Sequence, residues 1–265
     1  MAWLQREAGM KYLSRSAGRS TRHTTVPIRI ARRMWQTSGA GGACRTNAPT
    51  LPLKPYSRNS TMDFSTKRIV QIIAALLVAI AVTQAVYTGL YLSKIDIPRR
   101  WLWGLEGLLF VILSAFAGAA LTEVKRFSVG WSAIAASAVL NVVQVGVGLT
   151  MFTPFRQAAQ ASEAVAPAAG AVVAFSFFVY NAAKILLGFA ALIFGVAKAS
   201  SGETVDRLLG RATALVGIVA IVANTGVMAT GRGGLIPSPL AGASGVLATL
   251  LLAFCLNSAL REPKA

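Results

Sequence analysis

The stretch AVVAFSFFVYNAAKILLGFAALIFGV, Ala171 to Val196, is apolar and long enough to cross a bilayer, yet it carries Asn181 and Lys184 one helical turn apart near its middle. Hydrocarbon offers no water to an ammonium. A lysine at that depth therefore faces protein or a wet cavity, pairs with a carboxylate, or snorkels to the interface. The chain has to be read first as a membrane protein and then searched for the partner of Lys184.

Composition supports the first step. With 55% hydrophobic residues, 13% charged residues and a mean hydropathy of +0.60 over 265 residues, the chain is too apolar for an ordinary soluble domain. The net charge of +17 would suggest a polyanion partner if it were spread evenly. It is not. Residues 1–61 hold 11 Lys/Arg and a single acid, Glu7, whereas residues 62–265 hold 15 Lys/Arg against 8 Asp/Glu. The basic residues of the second part cluster near helix ends, where they set topology, so no nucleic-acid partner is expected.

Residues 1–61 are rich in Arg, Ser, Thr and Gly and lack a sustained hydrophobic period, which predicts a basic, disordered leader. It reads either as a transit-like segment, with VPIRIARRMW (Val26 to Trp35) as a short basic amphipathic patch, or as an artefact of start-site choice. Met62 opens MDFSTKRIV, a polar and basic lead into the first apolar segment.

From Lys67 onward the fold class is all-α: a bundle of six transmembrane helices within a single domain, 62–265. The spans are expected near 69–92, 101–122, 129–152, 171–197, 208–229 and 235–259. The third connection is long and contains Pro154 and Pro167, which suits a cap on one face or a short interfacial helix. In the fourth, Ser200 and Glu203 have capping-box spacing, and Pro237 and Pro239 place the start of the last span near Leu240. Placing the start of the first span inside puts Lys67, Arg68, Lys125, Arg126, Lys198, Arg207, Arg211, Arg261 and Lys264 on the inner side. The outer side then holds Lys94, Arg99, Arg100, Arg156 and Arg232. The excess favours both termini in the cytoplasm, with the cell (inner) membrane as the location, or an organellar inner membrane if the leader is a transit peptide. Trp101, Trp103 and Trp131 fall at span ends, where aromatic belts are expected. No internal repeat is visible.

Depth follows from a rise of about 1.5 Å per residue. Glu106, Gln144, Asn141, Asn224 and Gln84 fall mostly in the outer half of their spans. Lys184 joins them if its helix is counted back about 20 residues from Lys198, which starts the membrane crossing near Phe178. On that count Glu106 and Lys184 are at matching depth and pair across the bundle. Asn141, Gln144, Asn181 and Asn224 stand beside them around an outward-accessible polar pocket. The competing reading is a snorkelling lysine, a hydrated Glu106 and amides that join helices at about 0.6 kcal/mol each.

Chemistry beyond that is sparse. The single histidine, His23, lies in the leader, and the two cysteines, Cys44 and Cys255, are too differently placed to pair. Without imidazoles or a carboxylate cluster in the membrane domain, no metal, no cofactor and no catalytic constellation is expected. Ser244, in GASG, lacks an activating base and reads as a packing residue, as do the many glycines. The expected partner is the lipid bilayer, with a homo-oligomer or a larger membrane complex beyond it. The expected function is a small-solute or ion transporter or channel-like protein using the polar layer. The alternative is a non-catalytic accessory or assembly subunit.

Overall fold

A computed structural model describes residues 66–258 apart from 94, 96–99, 125–126, 201–202, 232–233 and 235. The leader, with His23 and Cys44, lies outside the described residues, as do the basic residues at 94, 99, 125, 126, 232, 261 and 264. The described chain is helical: α1 (Thr66–Leu92), α2 (Arg100–Glu123), α3 (Ser128–Thr150), α4 (Phe152–Ala161), a 3-10 turn (Glu163–Val165), α5 (Ala166–Ala199), α6 (Thr204–Thr230) and α7 (Ser238–Ser258). Six helical spans among these residues are long and apolar enough to cross a membrane. Short connections make successive long helices antiparallel. The α1–α2 and α6–α7 connections and α4 share one end of the bundle, the upper end.

Around the bundle each long helix packs on its chain neighbour, α1 closes the ring against α7, and α5 also touches α7. Burial follows the helical period: on α1, Ile69, Ile73, Leu77 and Ile80 turn inward, while Val82 and Val86 lie on the exposed surface. That apolar exterior is what a helix presents to lipid. The lower half of the interior is filled by Ile73, Leu77, Ile80, Phe110, Leu113, Ile134, Leu187 and Leu252. Polar side chains concentrate above this plug.

The closest helix contact is the α5–α6 seam. A Cβ added at Gly188 would lie 2.8 Å from the Gly217 carbonyl oxygen, one at Gly217 would lie 2.7 Å from the Gly188 oxygen, and one at Gly195 would lie 2.6 Å from the Ala214 nitrogen. At Gly210 it would run into the backbone of Ala199. Two glycines on each helix, spaced seven apart, thus let the two backbones touch, replacing side-chain packing with main-chain dispersion contacts. The same antiparallel register, continued upward by seven residues, brings Asn181 and Asn224 to one level.

Several details differ from the sequence expectation. The fourth span is longer, beginning at Ala166 rather than 171, because its first turns pack on α4 and the helix has no reason to stop at the bilayer boundary. The third span ends at Thr150, and the expected interfacial helix follows almost without interruption as α4, whose residues include none that are buried. The last span begins at Ser238, two residues before Leu240. No capping box forms between Ser200 and Glu203. Glu203 is itself the residue before the first turn of α6, with no side-chain cap, and the Ser200 hydroxyl donates back to the Val196 carbonyl at 3.1 Å.

The tryptophans also divide differently. Trp101 is exposed at the tip of α2, whereas Trp131 is buried and packs edge-on against Phe194 at 4.9 Å. The reason is Gly130, whose missing side chain leaves the space that the Phe194 ring occupies. Phe127 joins the same cluster, 5.6 Å from Phe194, from a left-handed backbone with φ 63° and ψ 38°. For a residue with a Cβ that conformation costs about 1–2 kcal/mol. Phe127→Ala should therefore destabilise the fold more than Phe127→Gly, by about 1 kcal/mol, since both lose the ring but only glycine relieves the backbone. Denaturant unfolding of the two variants in detergent reads the order directly.

Candidate functional site

Three helices bring the charged residues to one level. Gln84 lies on α1, about two turns before the α1–α2 connection, and Glu106 lies on α2, about two turns after it, so the helical hairpin places them side by side. Gln84 Nε2 donates to Glu106 Oε1 at 2.7 Å. Lys184 Nζ, from α5, donates to Gln84 Oε1 at 2.5 Å. The acid and the base are thus joined through a carboxamide. The direct Glu106–Lys184 pair expected from depth is replaced by this chain of two hydrogen bonds, in which each end of the amide meets the charge it suits: carbonyl to ammonium, N–H to carboxylate.

All three side chains are buried, Lys184 completely, with 9% of Glu106 and 5% of Gln84 exposed. Lys184 therefore does not snorkel. Its stem is held by α7, where a Cβ at Gly245 would stand 2.7 Å from Lys184 Cδ and 3.0 Å from Cγ. Only glycine leaves α7 room to lie on the lysine stem. Tyr180, one turn before Lys184 on α5, places its ring centroid 5.3 Å from Nζ, a cation–π distance.

Aromatic rings stand above the site and apolar side chains below it. One turn above Gln84 and Glu106, the rings of Tyr87 and Trp103 meet with centroids 6.0 Å apart, and Phe152 stands edge-on to Trp103 at 5.8 Å. Trp103 can turn inward because α3 has Gly148 there; a Cβ at that position would lie 2.9 Å from its ring. One turn below, Ile80, Phe110, Leu187 and Ala248 belong to the buried apolar plug.

The four amides expected beside the charges are buried or half-buried at the same end of the bundle, but their donors serve helix backbones and a hydroxyl. Asn141 Nδ2 donates to the Ser137 carbonyl at 2.9 Å, and the Ser137 hydroxyl in turn donates to the Ala183 carbonyl at 2.8 Å, tying α3 to α5 beside Lys184. Gln144 Nε2 reaches the Ser176 hydroxyl at 3.5 Å. Asn181 Nδ2 donates to the Phe177 carbonyl at 2.7 Å. Asn224 Nδ2 donates to Ala220 on its own helix at 2.7 Å and to Ala241 on α7 at 3.2 Å. The Oδ1 atoms of Asn141 and Asn224 are buried without a partner. Ser244 bonds the Ala241 carbonyl of its own helix at 2.9 Å and takes part in no catalytic arrangement.

Sequence reasoning had placed Gln84 in the polar layer by depth but not in the charged pocket. Its signal is an amide on the span preceding the α1–α2 connection, about one turn's difference in depth from Glu106. Tyr180 was legible too, since residues four apart share a helix face. Gly245 had no local signal, because its role depends on which helix crosses the lysine. No protein-family model matches the chain, and no curated protein or solved structure is similar enough to it to assign a family.

Proposed function

We propose that this protein is a small-solute transporter whose binding site is the Glu106–Gln84–Lys184 chain. The observation that carries the reading is a fully buried lysine connected to a buried glutamate across three helices. Burying two charges is a poor way to stabilise a fold, since desolvation offsets much of their attraction. This bundle has other means of holding together: a glycine seam between α5 and α6 and a continuous apolar plug. Charges retained at such cost inside a membrane domain ordinarily serve an ion or solute path. The aromatic rings above and the apolar plug below supply two barriers on either side of the site, as an occluded carrier requires.

A second reading has support of its own. Asn224 donates to the Ala241 carbonyl on α7 and Ser137 to the Ala183 carbonyl on α5, bonds that join helices as in an accessory or assembly subunit, while Asn141 and Asn181 spend their donors within their own helices. Reconstitution of the full chain into liposomes separates the two. Labelled anionic, cationic, zwitterionic and neutral small solutes would be offered in a counterflow assay. Uptake of at least one class is expected, and it should disappear in the Glu106→Gln, Lys184→Met double variant while that variant still folds. Folded protein that moves none of the classes, and that co-purifies with a larger membrane partner in fixed ratio, would establish the accessory reading instead.

A further inference from the structure

Building on the transporter reading, we propose that the site takes a small zwitterionic solute of the amino-acid type. Its carboxylate would sit on Lys184 and its ammonium on Glu106, the two positions held by the Gln84 carboxamide in the structure. The amide presents an acceptor to the base and a donor to the acid, as such a solute would. Its carbonyl oxygen accepts from Lys184 Nζ at 2.5 Å, where a carboxylate oxygen would accept, and its nitrogen donates to Glu106 Oε1 at 2.7 Å, where an ammonium would donate. Both contacts come from one planar group, so acid and base stand apart by about the width of a small polar molecule.

Charge decides the class. The site holds one cation and one anion in a buried setting, so a solute of single charge would compensate one and leave the other exposed to repulsion or unpaired. A zwitterion keeps the net charge at zero. It also replaces two hydrogen bonds between a neutral and a charged partner with two between opposite charges, the stronger kind. A neutral amide does no better than Gln84 itself. On this proposal the Gln84 amide, on an unbranched side chain, turns to another rotamer when the solute enters, and the rings of Tyr87 and Trp103 one turn above cover the solute's apolar body.

Gln84 is then a built-in competitor, and this gives the test its sign. With full-chain protein in detergent, thermal unfolding would be followed against L-alanine, with propionate, ethylamine and acetamide as analogues lacking one or both charges. L-Alanine should raise the midpoint and the three analogues should not. Gln84→Ala should bind L-alanine about tenfold more tightly than the parent, because the competing state is removed. Should that variant fail to fold, Gln84→Asn, whose amide is one methylene short, carries the same expected sign. An analogue as effective as L-alanine, or weaker L-alanine binding in the folded Gln84 variants, overturns the proposal. Liposome uptake of an anionic or cationic class without L-alanine would overturn it while leaving the transporter reading in place.

Discussion

Replacing Lys184 by methionine is expected to destabilise the bundle by about 3–5 kcal/mol, the cost of leaving a buried charge without its opposite. Methionine keeps most of the stem that lies against Gly245, so packing changes little and the ammonium is what is lost. Glu106 then retains Gln84 as its hydrogen-bond partner but has no cation at the other end of the amide. Adding Glu106→Gln removes the stranded carboxylate, and the double variant should recover most of the lost stability. The order, with the single variant below the double, is measured by unfolding in mixed micelles. A double variant as unstable as the single one would show that the two charges are not coupled through Gln84.

The second large effect is expected at the α5–α6 seam. Gly217→Leu must move the α5 backbone, because the carbonyl oxygen of Gly188 stands only 2.7 Å from where the new Cβ would be. Overpacking of side chains costs about 1–3 kcal/mol when neighbours can rotate; here the obstacle is main chain, and a loss of about 3 kcal/mol or more is expected. Gly118→Leu is the control. A Cβ there meets nothing within 4 Å, so its folding should be close to that of the parent. Recovery of folded protein from detergent, scored for both variants by monodispersity and unfolding midpoint, distinguishes a packed seam from an incidental crossing. Equal recovery would mean that the two helices do not depend on backbone contact.

These two sites show how differently residues announce themselves. Glu106 and Lys184 stood out because charge inside an apolar span is rare, and a rise per residue converts sequence position into depth. Their shared level is borne by the contacts to Gln84. What depth alone lacked was azimuth. Asn141, Asn181, Gln144 and Asn224 lie toward the same end, but the angle at which each leaves its helix turns their donors to backbone carbonyls and to the Ser176 hydroxyl. Trp131 shows the same limit: its place at the end of a span fits a belt, while the gap at Gly130 draws it into the core.

The amino-acid sequence by itself determined that the chain forms six long apolar helices and how far along each one its polar residues stand. Hydrophobicity and helical rise are local, additive properties, so they can be read one residue at a time. Only the tertiary structure decided that Gln84 joins Glu106 to Lys184, that Gly245 makes room for the lysine stem, and that four glycines bring α5 and α6 into backbone contact. Those outcomes depend on the rotation and crossing of helices about one another. Close packing of many weak contacts sets those angles jointly, and no single stretch of sequence contains them.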